Sequence, residues 1–327
     1  MKLASLNNAS RDGELVVVSR DLSLCIAVPD IAQTLQQAID RWTQVEAALR
    51  AVATALENGD CPGARPFVAE QALAPLPRAF QWMDASGYLS HIERVRKARG
   101  AALPPGLQDE PIIYQGLSDQ NLAWNAPLPA QPGWGADFEA ELAVIVSDVP
   151  QGTLRAEAGR YIRLITLVND ISLRELIPNE LAKGFGFFHS KPASAYAPVV
   201  VTPDEFGVAW DGHTLSLGLE AHLNGECVGR LRTGGTEQHF GFPAIIEYAA
   251  RTRSIGAGAI VGAGTVSNAE EKRGAACIAE IRILEQLQGG ARRTPWLKAG
   301  DTVRICALDA TGQTPFGVIE QTVAPPV

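Results

Sequence analysis

At 327 residues with a formal net charge of −8, the chain has room for one large domain plus a small one, or two of medium size. It lacks the basic excess that neutralises phosphates, which excludes a non-specific nucleic-acid binder. Its residues are 46% hydrophobic and 20% charged, a globular composition that argues against extended disorder. Cys25, Cys61, Cys227, Cys277 and Cys306 are scattered, with no CxxC spacing. Neither a disulfide framework nor a zinc knuckle is expected, and a reducing compartment is. The opening MKLASLNNASRDGELVVV has no unbroken apolar core of a signal peptide. Apolar runs such as 143–146 and 164–168 are too short to cross a bilayer. The expectation is a soluble cytoplasmic protein with no membrane partner.

Residues 14–28 hold two short β-like runs, ELVVVS and LSLCIAV, parted by a charged turn around Arg20 and Asp21. From Pro29 to about Glu57 apolar residues return every three or four positions, the period of an amphipathic helix. ENGDCPGARP (57–66) reads as a linker or long loop. A small N-terminal domain, residues 1–70, is placed before the main one at 75–327. The basic cluster Arg94, Arg96, Lys97 and Arg99 reads as a solvated or anion-facing stretch.

Beyond residue 75, runs such as ELAVIV, RLITLVND, APVVVTP, LSLGLEAHLNG, AGAIVGAGTV, CIAEIRI, DTVRICALD and FGVIEQTV alternate with Gly- and Pro-rich turns. Helical patterns are clear only at 172–183 and 242–253. This distribution predicts a β-rich α+β domain, not a regular βαβ array. The Gly-rich GAGAIVGAG has Val261 where GxGxxG needs its last glycine, and no GxxxxGK[ST], HExxH or GxSxG occurs.

Carboxylates carry what chemistry is visible. Glu139 and Glu141 open a strand-like run two residues apart, so they point to one face. Side by side on a half-buried face they repel and resist desolvation. Either the strand is a solvated edge or a hard divalent cation sits between them. Asp170 ends the apolar run RLITLVN, a usual place for a ligand or catalytic group; a turn or cap is the plain alternative. Ser172 and Glu175 have capping-box spacing, which predicts a helix start there. Arg174 would then lie about one turn from Asp170, to pair with it or with a substrate carboxylate. Asp84 and His91 add a carboxylate and a candidate base, although a lone histidine is more often structural. Glu280, inside CIAEIRI, interrupts a strand-like run.

Together, Asp84…His91, YQG at 114–116, ExE at 139–141, VND…R at 168–174, SKP at 190–192, LNGE at 223–226, GAGT at 262–265 and Glu280 resemble the fumarylacetoacetate hydrolase family. The resemblance runs in order through about residues 80–320. It implies a mixed β-sandwich roll, usually assembled as a homodimer. It also implies a divalent cation, Mg²⁺, Ca²⁺ or Mn²⁺, held by Asp84, Glu139, Glu141 and Asp170. By the same resemblance His91 is the general base and Glu280 its orienter, while Lys191 and Arg99 stabilise oxyanions. Tyr114, Arg174 and Thr265 then hold the substrate. The implied activity is hydrolysis of a carbon–carbon bond in a small anionic β-diketo acid, such as fumarylacetoacetate or an acylpyruvate, as in aromatic amino acid catabolism. Decarboxylases, hydratases and isomerases on the same scaffold are the rivals. A non-catalytic metal-binding protein is another, and it would have no need of His91 and Glu280 beside Lys191. The departures fall on substrate contacts: Ser86 replaces an aromatic residue, Ile177 replaces a glutamine, and Arg99 is shifted in spacing by one.

Overall fold

The structure, a computed structural model, describes residues 1–98, 102 and 106–326. The chain opens with strands β1 (Lys2–Leu6), β2 (Glu14–Val18) and β3 (Leu24–Ala27), then helices α1 (Leu35–Asp40) and α2 (Trp42–Glu57), and a short β4 (Arg65–Pro66). There follow β5 (Trp82–Ala85), α3 (Leu89–Ala98), β6 (Ile113–Gly116), β7 (Ala136–Asp137), β8 (Ala140–Val146), α4 (Arg155–Ala158) and β9 (Ile162–Asn169). Next come β10 (Ser172–Leu173), α5 (Ile177–Ala182), β11 (Ala195–Tyr196), β12 (Val200–Val201), β13 (Gly218–Leu223) and β14 (Glu226–Arg232). The chain finishes with α6 (Phe242–Ala249), β15 (Ile260–Gly262), α7 (Ile278–Leu287), β16 (Thr302–Leu308) and β17 (Val318–Thr322).

The main sheet has the order β4-β3-β2-β1-β12-β9-β8-β15-β5-β6, with β11 also pairing β9. All its described pairings are antiparallel except β15 with β5. β1 pairs with β12, Lys2 opposite Val201, so strands from the first 70 residues continue the same sheet as the rest. Side chains alternate across a strand, and here both faces are buried. Val16, Val18, Leu142 and Val144 enter one core, while Leu15, Val17, Ala143 and Ile145 enter the other. The second core is closed by the apolar faces of α1 and α2, including Leu35, Ile39, Trp42 and Leu49. The first is closed by a four-stranded sheet, β14-β13-β16-β17, through Leu219, Ala221, Val303, Ile305 and Ile319. The layers are thus helices, large sheet and small sheet, the mixed β-rich architecture expected.

The predicted helix over 29–57 is two helices. Thr34 caps α1 by accepting from the Gln37 amide, and Arg41 ends α1 and opens α2. The charged turn around Asp21 is closed by its own carboxylate, which accepts from the Ser19 and Ser23 hydroxyls and the Ser23 amide. The helix expected from Ser172 is shorter and later. Ser172 and Leu173 form β10 against β7, and the Ser172 hydroxyl donates to Glu139 instead of capping a helix. The strand expected at CIAEIRI is helix α7. The Asp137 carboxylate accepts from the Ile278 and Ala279 amides at 2.7 and 2.9 Å, which supplies the N-terminal anion a helix favours. The helix predicted to end at 253 ends at Ala249.

Candidate active site

Four neighbouring strands, β9-β8-β15-β5, bring the carboxylates together at one end of the sheet. Asp84 lies on β5, Glu141 on β8, and Asp170 follows β9. Each offers an oxygen within 4.8 Å of the others, and they are 7%, 0% and 0% exposed. The loop after β15 lets them close. A Cβ on Gly262 would meet Asp84 Oδ1 at 2.4 Å, and the Gly264 amide donates to that oxygen at 3.0 Å. Gly264 has φ +86 and would put a Cβ 2.2 Å from the Ala85 carbonyl oxygen. Only glycine fits there.

Glu139 points to the same side, since the Thr265 hydroxyl is shared between Glu139 Oε1 (2.7 Å) and Glu141 Oε1 (3.3 Å). Two cations also hold it. Arg174 Nη2 donates to it at 2.7 Å and Lys191 Nζ at 2.6 Å. Arg174 therefore bridges Asp137 (Nε–Oδ2, 2.9 Å) and Glu139; it does not pair with Asp170, because β10 replaces the helical turn that would have aligned them. Lys191 also reaches Asp170 Oδ2 at 2.5 Å. Tyr114 donates to the same oxygen at 2.5 Å, and Ser194 donates to Oδ1 at 2.7 Å. Asn169 pins the strand end by accepting from the Glu139 amide.

Burial, then the charge of Asp170, pushes the Asp84 carboxyl up to about 8. Burial beside Asp84 and Asp170 drives Glu141 well above the carboxylate range. Burial acts against Glu139 too, but Arg174 and Lys191 hold it well below that range. Lys191 is raised despite its burial, by Asp170 and Glu139. Glu141 Oε2 finds no hydrogen-bond partner among the described residues. Buried like charges with an orphaned acceptor and an all-oxygen donor set fit a hard divalent cation. Asp84, Glu141 and Asp170 would hold it, with Glu139 alongside.

His91 faces a cavity of about 220 Å³, whose walls also include Asp84, Tyr114, Glu139, Arg174, Lys191 and Thr265. His91 Nδ1 lies 2.6 Å from Glu280 Oε2. Glu280 is fully buried, and its Oε1 accepts from Ser267 (2.9 Å) and from Arg94. Burial opposes the Glu280 charge, but His91 and Arg94 keep its carboxyl below the ordinary value. Of the cluster expected to be solvated or anion-facing, Arg94 is the anion-facing case: it is only 6% exposed and paired with Glu280. Its position three residues after His91 on α3, on the same helical face, is the signal that could have found it. Asp137, two residues before Glu139, was likewise missed; strand alternation places it on the side that Arg174 reaches. Arg99 lies outside the described residues.

Residues 1–78 match the family model described as fumarylacetoacetase N-terminal domain 2, and 81–324 match that of fumarylacetoacetate (FAA) hydrolase C-terminal. The chain belongs to the fumarylacetoacetate hydrolase family. Among solved structures, fumarylacetoacetate hydrolase from psychrophilic Exiguobacterium antarcticum is similar with TM-score 0.67 and 17% identity, over 99% of both chains. Maleylpyruvate hydrolase from Sphingobium sp. SYK-6, in complex with manganese(II) and pyruvate, gives 0.65 and 18% over 100% of both. A 5-carboxymethyl-2-hydroxymuconate delta-isomerase from Mycobacterium smegmatis gives 0.61 and 16% over 100% of both. At such identities the likeness shows the fold. An uncharacterised Pyrococcus horikoshii protein is 30% identical over 134 residues, which is 39% of this chain and 54% of that protein. The chain spans about half the length of the curated relatives it matches. All five cysteines are free, and among the described residues no helix is long and apolar enough to cross a membrane.

Proposed function

We propose that this chain is a divalent-metal-dependent hydrolase that cleaves a carbon–carbon bond in a small β-diketo acid of the fumarylacetoacetate or acylpyruvate type. The observation that carries the reading is His91, paired with Glu280, on the same cavity wall as Asp84, whose carboxylate clusters with those of Glu141 and Asp170. Nδ1–H donated to Glu280 leaves the lone pair on Nε2, which takes a proton from water. Hydroxide adds to a substrate carbonyl, the bond to the adjacent carbon breaks, and its electron pair leaves as an enolate that regains a proton. A bound divalent cation supplies polarisation of a carbonyl oxygen and neutralisation of negative charge. Lys191, fixed by Asp170 and Glu139, sets an ammonium against the developing enolate. Tyr114, Thr265 and Arg174 line the cavity as substrate contacts, Arg174 also orienting Glu139. On the family's usual form the enzyme is a cytoplasmic homodimer with residues 1–70 as a small accessory domain.

The test is incubation of metal-stripped protein with fumarylacetoacetate, fumarylpyruvate, acetylpyruvate and oxaloacetate, with and without Mg²⁺, Mn²⁺ or Ca²⁺. Two acid fragments that form only with metal support the reading. Release of CO₂ from oxaloacetate alone, or an isomerised product without fragments, moves the chain to the lyase or isomerase branch.

A further inference from the structure

Two cavities meet at Phe187. The one of about 220 Å³ carries His91 and the carboxylate face, and one of about 670 Å³ opens beyond it; Phe187 and Lys191 are walls of both. Ligand pockets for molecules larger than a few atoms usually run to roughly 300–1,000 Å³. On the diketo-acid reading the smaller cavity takes the reacting head, and a larger acyl group extends past Phe187.

Apolar side chains stand all along that route, among polar ones that include Asn179 and Lys183. Ile92, Ile112 and Ile177 line the small cavity, and Leu117, Trp134 and Leu176 the large one. Among the described residues lining the small cavity, the permanent cations are Arg174 and Lys191. Both are already committed, Arg174 to Asp137 and Glu139, and Lys191 to Glu139 and Asp170. In the larger cavity Lys183 is set against Glu175 and Glu180, so a carboxylate at the acyl end would meet two wall carboxylates for that one ammonium, whereas an uncharged ring would gain from burial. Phe187 stands edge-on to Tyr114, ring centres 5.3 Å apart. It follows Gly184 and Gly186, both at positive φ (+78 and +91) with no neighbour within 4 Å of a Cβ built there. Contact with Tyr114, not crowding of the preceding backbone, sets the ring in place.

We propose that the acyl substituent of the substrate is an uncharged, apolar, ring-sized group, selected by Ile177 and Phe187, with its far end in the larger cavity. The chemistry rests on the diketo-acid reading above, and the binding site does not. The test uses the Mn²⁺-loaded full chain, with calorimetric Kd and steady-state kcat/KM for benzoylpyruvate against fumarylpyruvate. Benzoylpyruvate is expected to bind at least tenfold more tightly and to show a similar advantage in kcat/KM. Phe187→Ala and Ile177→Gln should each shrink that ratio through Kd and KM. Equal or tighter binding of fumarylpyruvate, binding of neither, or variants that keep the full ratio would overturn the proposal. A binding preference without cleavage of either compound sinks the hydrolase reading and leaves the apolar site standing; cleavage without preference does the reverse.

Discussion

Glu280→Gln keeps the shape of the side chain and removes its charge. In the native protein one carboxylate oxygen holds His91 Nδ1 at 2.6 Å and the other accepts from Ser267 and Arg94. The amide can turn only one oxygen to these donors, so either His91 or Arg94 faces an NH₂ group. Arg94, 6% exposed, loses its counter-charge, and breaking a buried ion pair costs about 3–5 kcal/mol. With an unfolding entropy of about 2.1 cal/mol/K per residue, that lowers Tm by about 4–7 °C for a chain of 327 residues. The histidine also loses its enforced tautomer, and replacing the orienting acid of a catalytic histidine by its amide lowers kcat by about 10²–10⁴. Divalent-metal affinity should hold, because Glu280 lies outside the Asp84–Glu141–Asp170 cluster. Stopped assays on the diketo acid, thermal melts and metal titration together check this. A variant that melts lower yet retains kcat within a factor of about 3 would refute the orienting role and leave Glu280 as packing.

Other perturbations separate the remaining parts. Glu141→Gln removes a buried charge that burial and two acidic neighbours already disfavour, so the metal-free protein should melt higher. Its stabilisation by Mn²⁺, about 2.7 kcal/mol for wild type at a hundred times Kd, should shrink; an unchanged melting response to Mn²⁺ counts against the ligand set. Gly264→Ala forces a Cβ to 2.2 Å from the Ala85 carbonyl at φ +86 and should destabilise by about 3 kcal/mol or more, read as a lower urea midpoint. Glu180 accepts from the Ser190 hydroxyl and the amides of Phe188, His189 and Ser190, which bring its carboxyl down to about 2 against the effect of burial. A depressed folded value means the unfolded chain binds the proton first, so this stabilisation is complete above about 4.3 and lost as pH falls towards 2. Glu180→Gln should therefore lie about 1–2 kcal/mol below wild type near pH 6, with the gap closing below about pH 3; a gap constant with pH contradicts that assignment.

Strands β8 and β9 were legible because their apolar runs are long and end at chemistry, with Glu141 inside one and Asp170 just after the other. The double-sided burial of the sheet is what makes those runs continuous instead of alternating. Helix α7 was not legible from CIAEIRI, because Ile281-Arg282-Ile283 imitates a strand period within so short a window. The buried turn appears only when Ile278 and Leu284 are taken together, and beyond the local cap at Cys277 its first amides are held by Asp137, far off in sequence. Ser172 failed as a cap for a related reason: Glu139, brought alongside by the sheet, competes for its hydroxyl. Nothing local announces that Glu139 would be shared between Arg174 and Lys191, or that Lys2 would lie opposite Val201.

The placement of Asp84, Glu141 and Asp170 at the ends of adjoining strands also bears on how the chain folds. Their strands are joined by pairings of high sequence separation, such as Gly262 with Asp84, and such topologies fold slowly because loop closure precedes the contacts that reward it. In the metal-free chain each zippering step at that end draws like charges together, so the sheet edge should anneal last and open first. Amide hydrogens at the close of β5 and β9 and at the start of β8 should then exchange faster than those at the strand middles, and a divalent cation, by riveting three chain segments, should slow unfolding more than it speeds folding.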